Sequence, residues 1–211
     1  MDDLGDSPVV PWRPDRANPQ AQNLQAVLET VQTTTKRVAD AWLSGALDWM
    51  ALGHMLAVEG AEPTLTAAAG DAPLLDPGHV VLFAHALSQS TRFERGQIER
   101  LSMARVALEE VRSDPEGAAS QALQLLASRS DHYAIHLDVD VVDFTDAPLS
   151  EHPSRNTGLK LDEMLRALRV LASDPGLVAI TLAELNPHNA AADEGLLERF
   201  AAAFADAISG R

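Results

Sequence analysis

From residue 79 onward, short and nearly continuous apolar runs alternate with segments of helical apolar spacing. Runs of this kind are typical of strands that are buried on both faces, and the segments between them are long enough to be helical crossovers. The pattern therefore predicts an α/β fold with a mainly parallel sheet and helices on both of its faces. The predicted strands are His79–Ala84, Ala104–Leu108, Tyr133–Val142 and Leu177–Glu184, and the predicted helices are Thr91–Met103, Glu116–Ser128, Leu161–Leu171 and Glu194–Ile208.

Two further helical patterns precede this region. Gln22–Leu43 contains no glycine or proline and has helical apolar spacing. Leu47–Val58 carries a second, shorter pattern that ends before Gly60. Because 211 residues fit one domain of ordinary size, residues 1–211 are interpreted as a single domain.

The composition excludes several classes of function. The formal net charge is −15 and no stretch gathers lysine and arginine, so nucleic acid is not expected as a partner. The absence of cysteine excludes disulfides, thiolate metal ligands and cysteine nucleophiles. No apolar run approaches the roughly 20 residues that span a bilayer, and the first residues do not resemble a secretion signal. We therefore expect no membrane partner and a cytoplasmic protein.

Histidines and carboxylates recur along one face of the third predicted strand. With a period of two residues, His132, His136, Asp138 and Asp140 share this face, whereas the opposite face is apolar. The Cα atoms of Asp138 and Asp140 would lie about 6–7 Å apart, so both carboxylates could converge on a metal ion at the carboxyl end of the strand. The alternative is a strand end that emerges into solvent, where unpaired carboxylates carry no penalty.

A further carboxylate, that of Glu184, ends the fourth predicted strand just before Asn186 and Pro187. If the third and fourth strands are parallel, Glu184 stands at the same rim as Asp138 and Asp140, where α/β sheets bind ligands. The alternative is a solvated strand terminus. The other histidines near strands or in loops are interpreted as surface or strand-edge residues rather than ligands; they are His79, His85, His152 and His188.

These residues carry a family resemblance. The segment His136-Leu-Asp-Val-Asp-Val-Val-Asp143 resembles the Ser-x-Asp-x-Asp-x-x-Asp-Pro motif of the ureohydrolases, which include arginase, agmatinase and formiminoglutamase. Ala183–Pro187 is similar to their Glu-Val-Asn-Pro motif. The resemblance implies a three-layer α/β fold of the arginase type and manganese-dependent hydrolysis of a guanidino or amidino C–N bond. It also implies that Asp138 and Asp140 are manganese ligands and that Glu184 contacts a cationic guanidino or amidino substrate.

The departures from the family pattern are equally specific. The other four ligands of the two-manganese site come from a Gly-Gly-Asp-His motif and an Asp-x-His-x-Asp motif, and the sequence contains neither. Residues 43–46 run directly from the long predicted helix into a segment that follows those strands in the family, which indicates an internal deletion there. We therefore expect a sheet that lacks central strands, weak or single-ion manganese binding, and self-association into a homo-oligomer through the uncovered surface. His136, at the serine position of the motif, could supply a ligand.

Three functions follow as hypotheses. The first is an arginase-family ureohydrolase in an impaired or inactive form. The second is a non-catalytic family member that acts as an interaction or oligomerisation subunit. The third is a binding protein for a small cationic guanidino or amine compound, which uses Glu184 and the acidic rim.

Overall fold

The computed structural model describes residues 51–61, 63–67, 72–153, 155–191 and 193–209. The predicted helix Gln22–Leu43 and the expected deletion at residues 43–46 lie outside these ranges. The chain divides into two compact units, residues 1–75 and 76–211. The prediction of a single domain stays a prediction. No helix in the described ranges is both long and apolar enough to cross a membrane.

Two short helices are described in the first unit, α1 (Ala51–Met55) and α2 (Pro63–Thr66). Helix α1 lies within the predicted Leu47–Val58 helix. Its His54 is buried, as are Leu56 and Val58 in the segment after it. The Leu75 N–H donates to the Met55 carbonyl over 3.0 Å.

In the second unit strands and helices alternate, as predicted. Helix α3 begins at a capping box, since the Thr91 hydroxyl accepts from the Glu94 N–H and the Glu94 carboxylate accepts from the Thr91 N–H. Pro115 occupies the first turn of α5, where it costs no hydrogen bond, and the Asp114 side chain caps this helix. The elements are β1 (Val81–His85), α3 (Arg92–Arg100), β2 (Ala104–Ala107), α4 (Leu108–Ser113), α5 (Pro115–Ala127), β3 (Tyr133–Asp138), α6 (Leu161–Ser173), β4 (Leu177–Ala183), α7 (Pro187–Ala190) and α8 (Leu196–Ser209).

The strands form two parallel pairs, β1 with β2 and β3 with β4. Within the described ranges no pairing joins the two, so they are separate two-stranded sheets rather than one continuous sheet. In the second pair, His136 lies opposite Thr181 and Asp138 lies opposite Ala183. The parallel direction places the carboxyl ends of β3 and β4 at one rim.

A single apolar cluster holds the second unit together. It includes strand, helix and loop residues that are almost completely buried, among them Val106, Val111, Ala119, Val139, Leu149 and Leu159. The last three come from the segments that follow β3. The irregular chain around the carboxyl rim of β3 is therefore anchored in the core by its own apolar side chains.

The structure differs from the predicted elements at the end of β3 and in the short helices. The predicted strand Tyr133–Val142 ends at Asp138, because Val139–Val141 form a 3-10 turn. The short helices α2 and α7 were not predicted, and neither was α4, which follows β2 without a break. It begins where the Glu110 carboxylate accepts a hydrogen bond from the Ala107 N–H over 2.6 Å.

Candidate functional site

His136 and Asp138 lie on the same exposed face of β3. Exposure alternates along the strand, with Ala134, His136 and Asp138 exposed and the residues between them half-buried. The His136 Nδ1 atom lies 2.7 Å from the Thr181 Oγ1 atom on β4. The predicted period of two is therefore correct within β3, and it presents an imidazole and a carboxylate on one side of the sheet.

Asp140 does not continue this face, which corrects the prediction that four side chains share it. It lies in the 3-10 turn, and its N–H donates to Asp138 Oδ1 over 2.8 Å. This side-chain cap competes with strand pairing and ends β3. His132 precedes the first residue of β3, so only His136 and Asp138 of the four are strand residues.

Glu184 directly follows β4 and has a left-handed backbone conformation, with φ of 59°. A non-glycine residue in this region is strained and persists only where its surroundings hold it. Here the Glu184 carbonyl accepts from the Glu151 N–H over 2.8 Å, and the Leu149 carbonyl accepts from the Asn186 N–H over 2.8 Å. An antiparallel bridge between Ser150 and Leu185 completes the contact. Because Asp138 pairs with Ala183, Glu184 lies at the same rim as Asp138 and Asp140.

The segment of residues 149–152 also reaches Asp140. The His152 N–H donates to Asp140 Oδ1 over 3.4 Å. Burial raises the pKa of Asp140, and the negative charge of Asp138 adds to the effect, against the hydrogen bonds from His152 and the Ser150 side chain. The Asn189 amide fixes the segment by donating to the Ser150 carbonyl over 2.8 Å. Sequence reasoning missed these contacts, because only the fold brings residues 149–152 beside residues 184–189.

The turn that carries Asp140 is clamped by a second loop. The Asp143 N–H donates to the Leu159 carbonyl over 2.7 Å, and the Leu159 N–H donates to the Val141 carbonyl over 2.8 Å. The buried Asp143 carboxylate accepts from the Thr145 N–H over 2.8 Å and from the Gly158 N–H over 3.3 Å. Burial opposes ionisation of Asp143, but these hydrogen bonds outweigh it and hold its pKa below the ordinary value.

Of the histidines interpreted as surface or strand-edge residues, only His152 contacts a residue of the rim, and it does so through its backbone. His79 ends a 3-10 turn before β1, His188 is exposed on α7, and His152 is exposed but reaches Asp140 through its backbone. His85 ends β1, where its Nε2 atom lies 2.9 Å from the Ser90 hydroxyl. Burial, with the nearby charge of Arg105, lowers the pKa of His85.

The carboxylate oxygens at the rim are of the type that binds a hard divalent cation. They are too few to form a two-metal centre. Carboxylate oxygens suit Mn²⁺. Within the described ranges, however, no three histidine or acidic side chains are grouped so that they could hold a metal ion. A pair of manganese ions requires more protein ligands than Asp138 and Asp140 provide.

Comparison with known proteins gives the family context. A model of the arginase family matches residues 53–208 of the chain. No curated protein matches it in sequence. The chain is 26% identical to native arginase from Bacillus caldovelox, with a TM-score of 0.71 over 82% of this chain and 56% of that one. The chain therefore spans little more than half the length of that arginase.

Two further solved structures extend the likeness. Arginase from Bacillus subtilis is 19% identical, with a TM-score of 0.71 over 100% of this chain and 84% of that one. A formiminoglutamase from Trypanosoma cruzi that contains Mn²⁺ is 21% identical, with a TM-score of 0.53 over 63% of this chain and 44% of that one. The fold is thus the predicted arginase-type α/β fold with parallel strands, of which four strands are described.

Proposed function

The chain belongs to the arginase family, and from that premise we propose that it is a ureohydrolase-like protein with an impaired site. In this proposal Asp138 and Asp140 hold a divalent cation, and Glu184 contacts the cationic group of a small guanidino or amidino compound. The observation that carries the proposal is the parallel pairing of β3 with β4, with Asp138 opposite Ala183. This register puts the backbone positions of Asp138, Asp140 and Glu184 at one rim.

The electrostatics of the rim support a cationic ligand. Burial, and then repulsion from the charge of Asp138, raises the pKa of Asp140. A bound cation relieves this repulsion. The strained backbone of Glu184 supports a functional role for the rim, because such strain is concentrated at functional sites.

The site is proposed to be impaired because its ligand set is small. Affinity for divalent ions depends on the number and geometry of the ligands. With two carboxylates and the remaining positions filled by water, we expect binding of a single ion in the high-micromolar to millimolar range that is typical of sites with few protein ligands. We derive no hydrolytic step through such a weakly held ion.

Manganese should stabilise the wild-type protein and not Asp138→Asn/Asp140→Asn. At a free Mn²⁺ concentration about ten times the Kd, binding to the folded state adds about 1.4 kcal/mol to the free energy of unfolding. For a chain of this size this raises Tm by roughly 3–6 °C. Thermal shift and water-proton relaxation, recorded against Mn²⁺ concentration, measure the effect directly.

Wild type and double variant are compared by the change in Tm on addition of Mn²⁺. The removal of two negative charges also changes Tm without metal, so Tm values themselves are not compared. Equal shifts in wild type and double variant would show that the aspartates are a solvated strand end. Retention of two manganese ions through dialysis would contradict the proposed ligand set.

Urea release separates an impaired enzyme from an intact one. With saturating Mn²⁺ and arginine or agmatine, we expect turnover far below that of an intact arginase measured in parallel. Full turnover would contradict impairment. Two results together would support a binding protein without catalysis. Urea release by the wild type would be no faster than that by Asp138→Asn/Asp140→Asn. The wild type would bind the guanidino compound, and Glu184→Gln would not.

A second candidate is an interaction or oligomerisation subunit. The observation that favours it is the exposure of apolar side chains on β4, where Val178 is 65% and Leu182 is 38% exposed. Strands of parallel sheets are ordinarily covered on both faces. Light scattering of the wild type and of Val178→Thr/Leu182→Thr tests this candidate, since a dimer that dissociates in the variant would support it.

A further inference from the structure

We infer that β4 pairs with β4 of a second copy of this chain, antiparallel and across a two-fold axis at Ile180. The two β3–β4 sheets then join into one sheet of four strands. The inference goes beyond the proposed function, because it requires neither a metal ion nor a guanidino compound. It gives the interaction candidate a definite surface, partner and register.

The edge of β4 that faces away from β3 has no partner strand within the described ranges. The seven residues of the strand, Leu177–Ala183, include no charged residue, proline or glycine. Unpaired N–H and C=O groups at an edge are a template for another strand, and lysine or proline ordinarily prevents such pairing. The register with β3 shifts near Val178 and is continuous from Ala179 to Ala183. Most of β4 is therefore a regular edge without these protecting residues.

The apolar face of β4 is only partly covered. A period of two residues places Val178, Ile180 and Leu182 on this face. Ile180 packs against the apolar cluster of the second unit, whereas Val178 and Leu182 are exposed on either side of it. On the opposite face Ala179 and Thr181 are exposed as well. A strand beside β4 would therefore remove apolar surface from water.

Symmetry about Ile180 points to a second copy as the partner. An interface across a two-fold axis is self-complementary, so residue i contacts residue j and residue j contacts residue i. Val178 and Leu182 are equally spaced from Ile180, and an antiparallel pair centred there places each opposite the other, with Cβ atoms about 4.5–5.5 Å apart. A shift of two residues one way would place Leu182 opposite Gly176. The reverse shift would place Val178 beside the carboxylate of Glu184.

Charge favours the same register. The formal net charge of −15 makes two copies repel each other, so a contact between them is easiest where no charge lies. No charged residue lies between Asp174 and Glu184. In the centred pair Asp174 falls opposite Asn186 and Glu184 falls opposite Gly176, so no carboxylate faces another across the strands.

The contact is small, because residues 184–186 are already held by the segment of residues 149–152 and only β4 pairs. Stable interfaces bury roughly 1,200–2,000 Å², more than two seven-residue strands provide, so we expect a weak and reversible dimer.

The absence of cysteine from the chain allows a cross-linking test of the register. Val178→Cys and Leu182→Cys are prepared separately, then oxidised alone and after mixing. Residues directly opposite in an antiparallel pair have Cα atoms about 4.5–5.5 Å apart, which a disulfide spans. Two copies of residue 178, or of residue 182, are about 13 Å apart along the strands, which a disulfide cannot span. We expect a covalent dimer from the mixture and none from either variant alone.

Val178→Lys tests the contact without cysteine. The position is exposed, so the variant should fold, but a lysine at the edge opposes pairing. Light scattering over a range of concentrations should show that the Kd of the dimer rises about tenfold or more. Ala134→Lys is the matched control, since Ala134 is an exposed residue of β3 and lies away from the β4 edge, so its Kd should equal that of the wild type. Far-UV circular dichroism confirms that each variant is folded.

The results that would overturn the inference are distinct from those that test the proposed function. A wild type that stays monomeric at the highest attainable concentration would overturn it. Equal cross-linking of the mixture and of each cysteine variant alone would also overturn it, because random thiol collisions give that result. A dimer that dissociates in Val178→Thr/Leu182→Thr but gives no cross-link between positions 178 and 182 would overturn the strand pairing and leave the interaction candidate intact. Failure of the manganese site would leave the pairing standing, since none of these measurements contains Mn²⁺.

Discussion

Replacing Gly158 with alanine is expected to destabilise the fold by about 2–4 kcal/mol. A Cβ atom at this position would meet the Asp143 backbone nitrogen at 2.4 Å and the Val141 carbonyl oxygen at 2.7 Å. Both are backbone atoms, so no side chain can rotate away, and the parallel bridge between Val142 and Leu159 must open. The loss corresponds to a decrease in Tm on the order of 10 °C, which urea and thermal unfolding measure.

The same substitution at Gly96 provides the control. Gly96 lies in α3, and nothing lies within 4 Å of the position where its Cβ would be. Alanine is favoured over glycine in a helix by about 0.5–1 kcal/mol, so Gly96→Ala should stabilise the protein. Similar unfolding curves for the two variants would contradict the close approach at Gly158. Because residues 141–143 follow Asp140 directly, Gly158→Ala should also weaken the Mn²⁺ response.

The order and type of most elements in the second unit could be predicted from the sequence, because local patterns determine them. The structure shows local signals at the starts of these helices, namely the capping box of Thr91 and Glu94 and the Asp114 cap before Pro115. The end of β3 was misplaced because apolar alternation continues past Asp138, whereas the Asp138 side chain caps the next turn. The competing signal, an aspartate at the start of the turn, is present in the sequence but is weaker than the alternation.

The pairing between strands could not be predicted from the sequence. Periodicity identified β1 to β4 as strands but could not show that they form two separate pairs, since that depends on which edges meet. The sequence predicts a mainly parallel sheet that lacks central strands, and the four described strands, all in parallel pairs, are consistent with such a partial fold. The exposed apolar side chains of β4 show a separate departure, because parallel strands ordinarily have both faces covered.

At the candidate site, local patterns located the acidic residues but not what surrounds them. Asp138, Asp140 and Glu184 could be placed at one rim from the parallel direction of two strands alone. The contacts from Ser150 and His152 to Asp140 connect residues that no local pattern relates, so they required the three-dimensional structure. The roles of all three carboxylates remain predictions that the metal titrations test.

Asp143→Asn is the second substitution with a large expected effect, a loss of about 2–3 kcal/mol at pH 7. The buried carboxylate accepts from the N–H groups of Thr145 and Gly158, and an asparagine must turn an NH₂ group toward one of these donors. The loop that clamps the Asp140 turn then loses an acceptor. Urea unfolding of the variant and of Asp131→Asn, which changes an exposed side chain, measures the difference.

The effect of Asp143→Asn should also depend on pH, with a definite sign. Because the pKa of Asp143 in the folded state is lowered from 3.8, its ionised form stabilises the fold above that pH. This contribution is lost as the pH falls through the folded-state pKa, since the carboxylate is then protonated in both states. The stability difference between wild type and Asp143→Asn should therefore be largest near neutral pH and shrink below about pH 4. A difference that stays constant from pH 7 to pH 3 would show that the charge of Asp143 does not stabilise the loop.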